Sequence, residues 1–131
     1  MSEKKRANWL PAPAFFNLNQ ACRVLTEAFG HHVYLVGSSL ARRDHRDVDV
    51  RCILPDEEFD RLFPNQADMT RHDLTAFWSL LCVAVSEWLS NRTGLPIDFQ
   101  IQRMTQANEK FPGPRHALGI FLQTGRDCEI A

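Results

Sequence analysis

Val33-Tyr34-Leu35-Val36-Gly37-Ser38, with Asp47-Val48-Asp49-Val50 close behind it, is the stretch that decides the fold. Four apolar residues end in a Gly-Ser turn, and a second apolar segment then carries two carboxylates two positions apart. Side chains at i and i+2 of a strand share a face, so Asp47 and Asp49 project together while Val48 and Val50 point the other way. Arg51 continues the same alternation and belongs on the carboxylate face. A third carboxylate comes in the same setting, because Ile97-Asp98-Phe99-Gln100-Ile101-Gln102 alternates apolar and polar without a break. Aspartate is a poor strand former, so three on strands ask for a reason. Acidic groups on a sheet, beside a turn with free backbone N–H groups, suit a divalent cation and a polyphosphate.

The elements around these strands follow from periodicity. Ala21, Cys22, Leu25 and Phe29 recur at helical spacing, with Asn17 as a suitable N-cap and Gly30 as a stop. A short helix is expected from Ser39 to about Arg43, with Ser38 as its cap. The second strand runs Asp47–Leu54 and ends at Pro55. Phe59, Leu62 and Phe63 mark a short amphipathic helix from Asp56. The longest helix is expected from Arg71 to Asn91, opened by Thr70 and Asp73 as a capping box. Its stripe of Leu74, Phe77, Trp78, Leu81, Val85, Trp88 and Leu89 reads as core. After the strand Ile97–Gln102, a short helix capped by Thr105 runs to Lys110. The segment around Gly119-Ile120-Phe121-Leu122 reads equally as an edge strand or a helix. This order predicts an α+β fold, a small mixed β-sheet with helices packed on one side.

Gly37-Ser38, Asp47-x-Asp49 and the later strand aspartate Asp98 resemble the signature of the nucleotidyltransferase superfamily, the fold of DNA polymerase beta and kanamycin nucleotidyltransferase. The likeness runs from Val33 to about Gln102. It departs at Arg43, which stands near where many members carry a glycine. The resemblance implies a nucleotidyltransferase-like fold and a metal-dependent enzyme that moves a nucleoside monophosphate from a nucleoside triphosphate to a hydroxyl acceptor. It implies that Asp47, Asp49 and Asp98 are the catalytic residues and the ligands of magnesium or manganese. Asp47 and Asp49 would hold the ion that carries the triphosphate, and all three a second ion; two such ions stand roughly 3.5–4 Å apart. Asp98 would also accept the acceptor's proton. Gly37, Ser38 and Ser39 would cradle phosphates, and Arg42 and Arg43 would neutralise them, since guanidinium suits phosphate well.

Composition bounds the rest. The chain has 131 residues, 44% hydrophobic and 24% charged, with a net charge of -1. This size suits one domain with one core, expected over residues 14–131 behind a flexible tail at 1–13. It leaves little room for a separate acceptor-holding domain. A charge so near neutral supplies no global field for nucleic acid. No apolar run reaches membrane-spanning length, and Pro11, Pro13 and Asn17 interrupt what a signal peptide needs after Lys4-Lys5-Arg6, so a soluble cytoplasmic protein is expected. Cys22, Cys52, Cys82 and Cys128 contain no CxxC pair, and the first three sit in apolar settings that favour buried thiols. A Walker P-loop is absent, because Gly37-Ser38 lacks the following Lys-Ser/Thr.

An alternative of a different class stays open: a non-catalytic nucleotide-binding or antitoxin-like module with the same fold, working beside a helical protein partner. Arg51 is open in the same way. It either neutralises phosphate or holds an empty acidic site together by ion pairing. Arg115 and His116 lie beyond the resemblance and receive no role.

Overall fold

The computed structural model describes residues 10–37, 47–64, 76–110, 113 and 115–119. Among them the elements are helix α1 (Ala12–Phe29), strand β1 (Val33–Val36), strand β2 (Val48–Leu54), helix α2 (Asp56–Leu62), helix α3 (Ala76–Thr93), strand β3 (Ile97–Arg103), helix α4 (Met104–Lys110) and strand β4 (His116–Leu118). The strands form one open sheet in the order β3-β2-β1-β4. β1 runs antiparallel to both β2 and β4, whereas β2 and β3 run parallel. The fold is therefore α+β with a mixed sheet. A parallel pair needs a long crossover, and α2 and α3 lie in the segment between β2 and β3.

One face of the sheet carries the core. Val33 and Leu35 of β1, Val50 and Cys52 of β2, and Phe99 and Ile101 of β3 are all fully buried in a single cluster. α1 adds Leu18, Ala21, Cys22 and Leu25, the i, i+3, i+4, i+7 face expected of it. Gly30 ends that helix in the left-handed region, with its N–H donated to the Thr26 carbonyl at 2.8 Å. The start of α1 differs from the expectation. It begins at Ala12, with Pro11 at the cap position, and Leu10 is buried in the core. Proline fits the first turn of a helix, where its missing N–H has no intrahelical partner. Pro11 and Pro13 thus open the helix, and residues 10–13 join the folded body rather than the tail.

α3 is apolar almost all round. Cys82 and Leu89 are buried, and Trp78, Leu81, Val85 and Trp88 pack against the cluster. On the side turned away, Phe77, Leu80 and Val83 are 51%, 66% and 57% exposed, so only part of the expected core stripe is core. Phe77 still meets Phe63, with ring centroids 5.5 Å apart. The expected start of this helix, from Thr70 through Leu74, lies outside the described residues. No helix among the described residues is long and apolar enough to cross a membrane.

α3 also closes the outer edge of β3, whose backbone would otherwise present unpaired groups. The Ile97 N–H donates to Ser90 Oγ at 3.1 Å. Ser86 Oγ accepts the Phe99 N–H at 2.8 Å and donates to the Phe99 carbonyl at 3.3 Å. Trp78 Nε1 donates to the Ile101 carbonyl at 2.9 Å. At β3's far end, Arg103 binds Asp60 through Nε at 3.0 Å and Asp56 through Nη1 at 3.1 Å, which ties α2 to the sheet. Asp56 in turn accepts both the N–H and the hydroxyl of Thr105, so Thr105 serves α2 rather than capping its own helix. Residues 116–118 form an edge strand beside β1, while Ile120, Phe121 and Leu122 of the undecided segment lie outside the described residues.

Candidate functional site

The site face is the one opposite α1. Along β2, Val48, Val50 and Cys52 enter the core, so Asp49, Arg51 and Ile53 alternate onto the other side. Asp49 is the register partner of Asp98 on β3 and of Val36 on β1. Register partners on neighbouring strands project to one face about 4.8 Å apart, which makes Asp49 and Asp98 side-by-side carboxylates. Asp49 keeps 23% of its side chain exposed and Asp98 45%.

Gly37 follows Val36 directly, and the chain turns there over Asp49. Its φ is 82°, and a Cβ at this position would overlap Asp49 Oδ2. Glycine is required on both counts, since it alone adopts this backbone freely and leaves room for the carboxylate. Asp47 stands exposed just before β2. Asp47 and Asp98 both line a cavity of about 390 Å³ between α3 and the edge of β3, together with Trp78, Ser79, Ser86 and Glu87.

Arg51 is the centre of the arrangement. Its side chain is 4% exposed, and Nη2 lies 3.6 Å from Asp49 Oδ1 and 3.4 Å from Asp98 Oδ2. Nη1 donates to the main-chain carbonyls of Asp98 at 2.6 Å and Val50 at 3.0 Å. Even so, the Asp49 carboxyl is pushed above the usual aspartate range. Burial is the largest cause; Arg51 opposes it, the charges of Asp98 and Asp47 add to it, and Lys110 opposes it. Negative charge and lost hydration thus outweigh the guanidinium. Lys110 is a site neighbour that the sequence did not point to. It ends a short helix, and helical periodicity says nothing about which strand that end approaches.

The structure thus gathers Gly37, Asp47, Asp49 and Asp98. Ser38, Ser39, Arg42 and Arg43 lie outside the described residues. Arg115 and His116, unassigned from sequence, make structural contacts. Arg115 donates to Asn108 Oδ1 at 2.6 Å and stands 5.9 Å from the Tyr34 ring centroid, and His116 packs on Phe15 with centroids 5.1 Å apart.

Among the described residues, no group of three or more His, Cys, Asp or Glu side chains is arranged to hold a metal ion. Magnesium needs less from a protein than that, since it is commonly held by one or two carboxylates plus substrate phosphates. Asp47, exposed, and Asp49, partly buried, are the two carboxylates available for such a single cation. A second cation between Asp49 and Asp98 does not fit, because the Arg51 guanidinium already stands against both carboxylates. No family model, no curated protein and no solved structure matches the chain.

Proposed function

We propose that the chain is a small metal-dependent nucleotidyltransferase of the nucleotidyltransferase superfamily, which moves a nucleoside monophosphate from a nucleoside triphosphate to a hydroxyl acceptor. The observation that carries this reading is the in-register pair Asp49 and Asp98, with the Gly37 turn folded directly over Asp49. Fold alone does not assign an activity; the reading is supported by carboxylates beside a glycine turn, which suit the demands of nucleotidyl transfer. Such transfer depends on positioning and charge neutralisation rather than on covalent help from the protein.

Asp47 and Asp49 would hold a magnesium or manganese ion against the triphosphate. That ion, when bound, neutralises phosphate charge as it shifts onto the leaving group. The Gly37 turn and the segment after it, with Ser38, Ser39, Arg42 and Arg43, receive the β- and γ-phosphates. The acceptor's hydroxyl oxygen bonds to the α-phosphorus as the bond to the bridging oxygen breaks, and pyrophosphate leaves. The hydroxyl proton passes to Asp98, whose orientation is held by Arg51 through both its main-chain and side-chain oxygens. The cavity between α3 and β3, walled by Asp47 and Asp98, is the place for the acceptor.

The Arg51 ion pairs also support a second reading, a non-catalytic nucleotide-binding or antitoxin-like module. In that case the exposed Phe77, Leu80 and Val83, at i, i+3 and i+6 of α3, offer an apolar face to a helical protein partner. Incubation with nucleoside triphosphates labelled at the α-phosphate, with magnesium, tests the two together. Transfer of label, lost in Asp49→Asn, supports the enzyme. Retention of intact triphosphate without transfer supports the module, and neither binding nor transfer removes both.

A further inference from the structure

We infer that Arg51 is a built-in cation standing where a second metal ion would otherwise sit, so that the site takes one divalent cation per chain. This rests on the reading that Asp47 and Asp49 hold a metal.

The argument starts from the alternation of β2. Arg51 lies two residues beyond Asp49 and therefore on its face, with Gln100 opposite it on β3. Its guanidinium turns back along the strand instead of reaching across to Gln100. One nitrogen is fixed to the main-chain oxygens of Val50 and Asp98, and the other stands between the carboxylates of Asp49 and Asp98, 3.6 and 3.4 Å away. A magnesium ion bridging those carboxylates would need an oxygen from each at roughly 2.0–2.1 Å, in the space the guanidinium fills.

Arg51 cannot readily give way. Arginine stays charged at any pH a folded protein meets, and a buried charge is tolerated only while it is paired and hydrogen-bonded. At 4% exposure, the guanidinium is held by two carbonyls and two carboxylates around it. Asp49 and Asp98 together carry two negative charges, and Arg51 removes one of them. The remaining charge, joined by that of Asp47, attracts one cation on the Asp47 side. A further dication on the Asp98 side meets a fixed like charge a few ångströms away. Arg51 is thus a positioning residue for Asp98, and it sets the metal count of the site.

The test is a manganese titration in which free Mn²⁺ is read by electron paramagnetic resonance, on wild type, Arg51→Gln and Asp98→Asn. The wild type is expected to bind one ion per chain and Arg51→Gln two. The melting temperature that Arg51→Gln loses in chelator should return on adding Mn²⁺, by more than the wild type gains. Asp98→Asn keeps Arg51 in place but removes one of the charges that attract the ion, so it should bind the same number of ions as the wild type, one, and more weakly. It therefore decides the matter even if Arg51→Gln does not fold. Two ions in the wild type, an unchanged count in Arg51→Gln, or a lower count in Asp98→Asn than in the wild type would each overturn the inference. A wild type that binds no Mn²⁺ removes the metal reading itself, and the inference falls with it.

Discussion

Gly37 is folded so closely over Asp49 that a Cβ at position 37 would overlap the carboxylate oxygen Oδ2. The backbone at Gly37 is left-handed as well, with φ at 82°. Gly37→Ala is therefore expected to lower stability by about 2–4 kcal/mol, the sum of a left-handed backbone and an overpacked contact. Asp49→Ala removes the overlap but not the backbone strain. Urea unfolding of both single variants and the double variant should show a favourable coupling of about 1 kcal/mol or more. Strict additivity would mean that the turn does not bear on the carboxylate.

Asp49→Asn should raise the melting temperature in chelator near neutral pH. The Asp49 carboxyl lies above its ordinary range because burial and two neighbouring carboxylates outweigh Arg51 and Lys110. A carboxyl raised in the folded state contributes stability below its unfolded pKa of 3.8 and loses that contribution as pH rises through the folded value. At neutral pH the ionised group is a liability that asparagine removes. The advantage of the variant should shrink as pH falls towards 3.8. A melting temperature several degrees lower than wild type at neutral pH would show that the Arg51 pairing dominates.

Ser86→Ala should lower stability by about 1–2 kcal/mol, because one hydroxyl satisfies two backbone groups at the edge of β3. It accepts from Phe99 N–H and donates to Phe99 carbonyl. Thermal unfolding measures the loss. Native-state hydrogen exchange should show the Phe99 amide deprotected more than its neighbours, and unchanged exchange there would count against the edge-capping role.

The buried thiols give a chemical readout of the core. Burial pushes Cys22 and Cys52 up to about 12 and Cys82 to about 11, where almost no thiolate exists to react. Peptide mapping after maleimide treatment of the native protein should find these three unlabelled, and labelled once urea is added. Labelling of Cys52 in the native state would show that β2 is more open than its packing implies.

Much of this fold is legible in the sequence because alternation is a strong signal. Val33–Val36, the segment ending at Pro55 and the segment from Ile97 all form strands, and the face carrying Asp49 follows from parity alone. Parity does not say which strands pair. That β2 is parallel to β3, which sets Asp49 beside Asp98, depends on a crossover that no local pattern encodes. The shared strand face of Asp47 and Asp49 and the alternation around Asp98 point to the carboxylates' grouping, and the family resemblance implies it too, but neither supplies the register that sets Asp49 opposite Asp98. Arg51 was legible as to face and illegible as to partner, since alternation fixes a direction and not the path of a long side chain. The early start of α1 was hidden by Pro11 and Pro13, residues that read as breakers although they also suit a first turn. Phe77 belongs to the apolar stripe yet is half exposed, because a helix apolar almost all round does not reveal which side is covered.

The central claim is that Gly37, Asp47 and Asp49 form a metal-dependent triphosphate site. Calorimetric titration of wild type with a nucleoside triphosphate, in manganese and again in chelator, tests it most directly, with Asp49→Asn alongside. The account predicts heat of binding in manganese, none in chelator, and a loss of affinity on the order of a hundredfold in Asp49→Asn, since one charge of the metal pair is gone. No binding at millimolar nucleotide with manganese present, or binding that neither chelator nor Asp49→Asn changes, would contradict it.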